Sequence, residues 1–84
     1  MKYATEVIDL LAAYPGRRFR MRHILNHVVP RASAAQVRAA RMGVWRVLGA
    51  LAQSGQVRID RPDERNGSYA EYSWQTITSD AGNP

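Results

Sequence analysis

The chain has 84 residues, of which 45% are hydrophobic and none is cysteine. This length suits one small domain with a single core, whose net stability rarely exceeds about 3–5 kcal/mol. The lack of cysteine excludes disulfides, thiolate zinc sites and a cysteine nucleophile, and twelve basic against seven acidic residues give a net charge of +5.

The first predicted helix runs from Lys2 to Ala13. Its apolar residues recur at intervals of three and four, which is typical of one helix face. They are Tyr3, Val7, Ile8, Leu11 and Tyr14. Tyr14-Pro15-Gly16 ends this helix, because the residue before a proline is disfavoured in the helical region and glycine permits the turn.

A short extended segment is predicted over Arg17 to Arg20, with Phe19 as its buried residue, and a second helix over Met21 to Val28. After a break at Pro30, the longest helix is predicted over residues 33–53. Ser33 and Gln36 match a capping box at its start. Its apolar stripe consists of Val37, Ala40, Val44, Val47, Leu48 and Leu51.

After Gly55 the period of the apolar residues changes to two, which predicts strands. Val57 and Ile59 alternate with polar residues, Asn66-Gly67 is a hairpin signal, and a second strand follows over residues 68–75. Its predicted inner face carries Ala70, Tyr72 and Trp74. We therefore expect residues 1–75 to form one domain and residues 76–84 to form a flexible tail.

Positive charge is concentrated in the middle of the chain. No Asp or Glu occurs from Leu10 to Ile59. The same fifty residues contain Arg17, Arg18, Arg20, Arg22, Arg31, Arg38, Arg41, Arg46 and Arg58. Because globular surfaces normally mix both signs, this segment predicts a positive surface and a polyanionic partner. The alternatives are chance, in a sequence rich in Arg and Ala, and an acidic protein partner.

The order of helix, short strand, helix, long helix and hairpin resembles the winged helix-turn-helix family. Two passages carry the resemblance. They are Arg18-Phe19-Arg20-Met21-Arg22-His23-Ile24-Leu25 and Leu48-Gly49-Ala50-Leu51-Ala52-Gln53-Ser54-Gly55-Gln56-Val57. The resemblance implies an α+β, mostly helical fold of three helices and a β wing of two to three strands. It also implies a small sequence-specific protein that binds double-stranded DNA, such as a bacterial or phage-type transcriptional regulator.

One departure from the family concerns length. The stretch from Ile24 to Gly55 is longer than is typical, with the extra residues at positions 29–40. Either the third helix is extended at its N-terminus or a short additional helix precedes it. Gly43 marks a place where the long helix could break.

The resemblance places the third helix in the major groove and the wing, residues 57–74, on the backbone or in the minor groove. The candidate recognition-helix residues are Gln36, Arg38, Arg41, Met42, Trp45 and Arg46. The candidate phosphate contacts are Arg17, Arg18, Arg20 and Arg22, and the candidate wing contacts are Arg61, Arg65 and Asn66. For all of these the alternative is an ordinary solvated surface. Trp45 is expected to be partly buried and Trp74 to be a core residue.

No catalytic or metal site is predicted. His23 and His27 could share a helix face, but no acidic residue lies near them in the sequence to complete a metal site. The chain also lacks a glycine-rich phosphate loop and a nucleophile elbow. We therefore expect a protein that is not an enzyme and needs no cofactor or metal.

We expect a cytoplasmic homodimer on double-stranded DNA, with no membrane segment. No apolar run approaches the roughly 18 residues of a membrane span, and the N-terminus does not resemble a signal peptide. The dimer is expected because one chain offers a small interface. Ala35, Ala39 and Gly43 could permit close packing of helices between subunits. The alternative function is a winged-helix interaction module that binds an acidic protein surface, as an adaptor or a phage-type inhibitor does.

Overall fold

The computed structural model describes residues 2–61 and 70–76. In chain order its elements are α1 (Ala4–Ala13), β1 (Phe19–Arg20), α2 (Met21–Val28), α3 (Ala34–Gln53), β2 (Val57–Asp60) and β3 (Glu71–Trp74). The described part is therefore a mostly helical α+β domain with three helices and one three-stranded antiparallel sheet. This confirms the predicted class and the predicted order of elements. The Asn66-Gly67 turn, the start of the second predicted strand and residues 77–84 of the predicted tail lie outside the described residues.

Helix α1 begins two residues later than predicted. Tyr3 adopts a left-handed backbone, with φ 71°, and its carbonyl accepts the first helical hydrogen bond from the amide of Val7 at 3.0 Å. Val7 and Leu11 are fully buried, as the apolar stripe predicts. The prediction that Tyr14 belongs to the buried stripe of α1 is wrong, because the helix ends at Ala13 and Tyr14 is 50% exposed.

The extended segment after α1 is shorter than predicted, because a turn occupies its first two residues. Gly16 has φ 82°, and the Arg17 amide donates to the carbonyl of Tyr14 at 3.1 Å. Only Phe19 and Arg20 pair with a neighbouring strand. Arg17 and Arg18 therefore belong to the turn, and Phe19 is buried as predicted.

Helix α3 is continuous through Gly43. The Ser33 hydroxyl accepts from the Gln36 amide at 3.2 Å, and the Ser33 amide donates to Gln36 Oε1 at 2.8 Å, so the predicted capping box is present. At the other end Gly55 has φ 83°, and the Gln56 amide donates to the Leu51 carbonyl at 2.9 Å. Of the two alternatives for the extra length, the helix extended at its N-terminus is the one observed.

The sheet has the order β1-β3-β2. Phe19 pairs with Tyr72, which pairs with Ile59 on the other side, and this row faces the helices. The next row contains Arg20, Glu71 and Asp60, and alternation directs it to the opposite face. The core is built from every element. Its buried hydrophobic residues are Val7, Leu11, Phe19, Ile24, Leu25, Ala40, Val44, Val47, Leu48, Leu51, Val57 and Tyr72.

Gly43 is the contact point between α3 and the start of the chain. A Cβ atom at Gly43 would lie 2.8 Å from Cδ2 and 2.9 Å from Cε2 of Tyr3. Such distances are shorter than carbon atoms tolerate, so the Tyr3 ring fits there only because residue 43 has no side chain. Gly43 therefore packs within the chain, whereas Ala35 and Ala39 are exposed.

Gly43→Ala is expected to leave the protein at least about 1 kcal/mol less stable than Gly49→Ala, since the new methyl group displaces the Tyr3 ring. Gly49 is the matched control in the same helix, because a Cβ there meets no atom within 4 Å. Gly49→Ala should raise the free energy of unfolding by about 0.5–1 kcal/mol through helix propensity. Urea denaturation of both variants measures the difference, and equal gains would contradict this packing.

Candidate nucleic-acid interface

The outward face of α3 carries the candidate recognition residues. Arg38, Met42 and Arg46 are spaced by four and lie above one another along the helix. All three are exposed, since the opposite side of the helix supplies the buried stripe from Ala40 to Leu51. Small exposed or half-exposed residues surround them, namely Ala35, Ala39 and Gly49. Long side chains therefore project from a helix whose backbone another molecule could approach closely.

Trp45 also lies on this face, which corrects the expectation that it is partly buried. Its side chain is 55% exposed, and so is that of Met42. The two residues are three apart and are therefore neighbours on the helix surface. Trp74, by contrast, packs against the core while remaining half-buried. We define the exposed set Arg38, Arg41, Met42, Trp45 and Arg46 as the α3 face.

Gln36 stands apart from the α3 face. Its side-chain oxygen accepts a hydrogen bond from the Ser33 backbone amide in the capping box. Gln36 also borders a surface groove near the start of α1, together with Tyr3 and Ala39. The helix cap is thus the contact that the structure gives this side chain.

The α3 face carries positive charge that the rest of the described chain does not neutralise. Within residues 2–61 and 70–76, none of Arg38, Arg41 and Arg46 forms an ion pair. Ion pairs are found at and beside the sheet instead. Arg58 Nε is 3.0 Å from Asp60 Oδ1, and Arg18 is 3.6 Å from Glu71. The positive potential of the α3 face therefore stays available to an anionic partner.

Two of the candidate arginines affect the pKa of the buried Tyr72. Burial raises the pKa of Tyr72, and the positive charges of Arg61 and Arg41 act in the opposite direction. Both guanidinium groups thus act on the same tyrosine, one from α3 and one from the residue directly after β2. The sequence suggests only a core role for Tyr72, which is buried between Phe19 and Ile59 in the sheet. Arg65 and Asn66 lie outside the described residues.

The four arginines before and within α2 have different surroundings. The Arg17 guanidinium carbon lies 5.4 Å from the ring centroid of Tyr14 and 5.3 Å from that of Phe19, which is cation–π geometry. Arg18 pairs with Glu71, and Arg20 lies on β1. Arg22 is exposed in the first turn of α2. The sequence alone does not identify the carboxylates that pair with arginines. Glu71 comes near Arg18 because β1 and β3 are adjacent in the sheet.

His23 and His27 are both exposed on α2. In the part of the chain that the structure describes, no group of three or more His, Asp or Glu side chains is placed to hold a metal ion. Over the same residues, no helix combines the length and the apolar character that crossing a membrane requires.

Comparison of this chain with protein-family models, with curated proteins and with solved structures found no match. What supports a function is therefore the arrangement of its own residues.

Proposed function

We propose that this chain is a winged helix-turn-helix protein that binds double-stranded DNA sequence-specifically and regulates transcription. The single observation that carries the proposal is the α3 face, with three exposed arginines that form no ion pair within the described chain. The element order supports it as well, since α2, a short turn and α3 are followed by two antiparallel strands.

In the proposed complex α3 lies in the major groove, which is about 12 Å wide and accepts one helix. Arg38 and Arg46 each direct a planar fork of donors toward guanine, whose O6 and N7 accept two hydrogen bonds. The small residues around them allow the helix backbone to approach the base edges. Arg41 at the edge of the face contacts phosphate beside the groove.

The phosphate contacts on the two sides of α3 come from different elements. Arg61 is exposed directly after β2 and marks the side of the wing. Arg22 lies in the first turn of α2, where free backbone amides and the helix dipole favour an anion. Arg17 and Arg20 lie just before that helix. Arg18 contributes less, because Glu71 already balances its charge.

As a cytoplasmic regulator with one such small domain per chain, the protein would act as a homodimer on a site with two-fold symmetry. A single module of this kind covers only about 600–1,000 Å² of its own surface on DNA. Two copies double the contacts, and they place two α3 helices about 34 Å apart in successive major grooves.

The dependence of duplex affinity on salt tests the electrostatic part of this proposal. If five arginines per chain, such as Arg17, Arg22, Arg38, Arg41 and Arg46, meet phosphates or displace counterions, log K should fall with log salt with a slope of about −4 to −5 for each bound chain. Fluorescence anisotropy with a labelled duplex measures the slope. Arg41→Ala should reduce its magnitude by about one. A flat response of the unmodified protein would refute the mechanism.

A second candidate function is supported by the exposure of Met42 and Trp45. Tryptophan and arginine are enriched among the residues that dominate protein interfaces, so the α3 face would also suit an acidic protein surface. Duplex DNA and poly-glutamate, each tested against the unmodified protein and a Arg38→Ala/Arg46→Ala variant, discriminate the two. Binding of poly-glutamate through these arginines, without binding of any duplex, would favour the interaction module.

A further inference from the structure

Met42 and Trp45 form an apolar pair in the middle of a positively charged face. Each of the two residues is 55% exposed. Arg38 precedes the pair by one helical turn, and Arg46 follows Met42 by one turn. Any anionic ligand that the arginines attract is therefore brought against two large apolar side chains.

In a DNA major groove such a pair has one favourable counterpart. The base edges there present hydrogen-bond donors and acceptors, and the only apolar group among them is the C5-methyl group of thymine. An apolar side chain that covers a donor or acceptor removes its water without replacing the hydrogen bond, which is unfavourable. Against a methyl group the same side chain buries apolar surface on both partners.

We propose that Met42 and Trp45 read thymine methyl groups, so that the α3 face selects a thymine-containing step flanked by the guanines that Arg38 and Arg46 contact. This inference rests on the proposed function and specifies the base composition of its site. From Arg38 to Arg46 the helix rises about 12 Å, which equals about three to four base-pair steps. The thymines are thus expected within the span set by the two arginines.

Replacing thymine by deoxyuridine tests the inference without altering the protein. The probe is the duplex that the unmodified protein enriches from a pool of random sequences, synthesised once with thymine and once with deoxyuridine. Deoxyuridine lacks only the methyl group, so affinity should fall about four-fold for each methyl group that the pair contacts. Substitution at single thymines then locates the contacts.

The Met42→Ala/Trp45→Ala variant is the matched protein control. It should bind the thymine and deoxyuridine duplexes equally and keep the salt slope of the unmodified protein, because no charge is removed. Both side chains are largely exposed, and thermal unfolding checks that the variant remains folded.

The possible outcomes separate this inference from the proposed function. The inference is supported if the unmodified protein binds the thymine duplex more tightly than the deoxyuridine duplex and the double variant binds both equally. Equal affinity of the unmodified protein for both duplexes, or discrimination that the variant retains, overturns it and leaves DNA binding intact. Failure to bind any duplex, including the case in which only an acidic protein binds, overturns the proposed function and the inference together.

Discussion

Replacing Arg38 and Arg46 together by alanine is expected to lower affinity for a selected duplex by about 30-fold or more. Each bidentate contact between arginine and guanine contributes roughly 1–3 kcal/mol of discrimination, and two such contacts at the lower limit give this factor. Both side chains are exposed and neither forms an ion pair in the described chain. The fold should therefore survive the change. Anisotropy titrations at one fixed salt concentration compare the selected and random duplexes.

The random duplex should lose less affinity than the selected one, since the remaining arginines still contact phosphate. Arg31→Ala/Arg58→Ala is the control with the same change in net charge. Arg31 lies in the turn between α2 and α3, and Arg58 pairs with Asp60 on the sheet. This control should lower the affinity for both duplexes by the same factor, and that factor should be smaller than the loss that Arg38→Ala/Arg46→Ala causes for the selected duplex. Equal losses for the selected duplex in the two double variants would show that charge alone, without base contacts from α3, determines binding.

Local chemistry explains which parts of the fold the sequence predicts. The bounds of α2 match those observed, and α3 begins at the predicted cap, because neighbouring residues determine where a helix begins and ends. Ser33 and Gln36 satisfy each other's backbone amides, and Gly55 takes the left-handed conformation that ends a helix. The buried stripe of α3 follows directly from its period.

The exposure of Trp45 depends on tertiary arrangement and is not predictable from that period. Trp45 follows the buried Val44 and precedes Leu48 by three residues, so it lies at the edge of the stripe. Whether an edge position is covered depends on where the sheet and the neighbouring helices lie. Tyr14 is a second residue whose exposure the period does not predict. Its position continues the apolar stripe of α1, but the helix ends at Ala13.

The charge of the candidate interface likewise depends on contacts between distant parts of the chain. Glu71 reaches Arg18 because β1 and β3 are adjacent, with Arg20 opposite Glu71. Arg41 and Arg61 both lower the pKa of Tyr72, which burial raises, although they lie twenty residues apart in the chain. The segment without acidic residues predicts an excess of positive charge. Strand register then determines which arginines have a carboxylate beside them and which do not.

Leu48→Ala is expected to cost about 2–5 kcal/mol of stability, which is comparable to the whole net stability of a domain of this size. Leu48 is fully buried in the core cluster formed by the helices and the sheet, so the shortened side chain leaves a cavity beneath α3. Circular dichroism during urea and thermal unfolding should show a variant that is largely unfolded or has a much lower midpoint.

Met42→Ala is the matched control, since it shortens a large apolar side chain on the opposite side of the same helix, where 55% of the side chain is exposed. Its free energy of unfolding should change by less than about 0.5 kcal/mol. Similar stability of the two variants would contradict the burial of Leu48, and a larger loss of stability in Met42→Ala than in Leu48→Ala would mean that α3 is turned the other way, with the α3 face covered. Comparing these two variants also separates two reasons for lost duplex binding. Leu48→Ala removes binding by unfolding the domain, whereas Met42→Ala weakens binding in a folded protein.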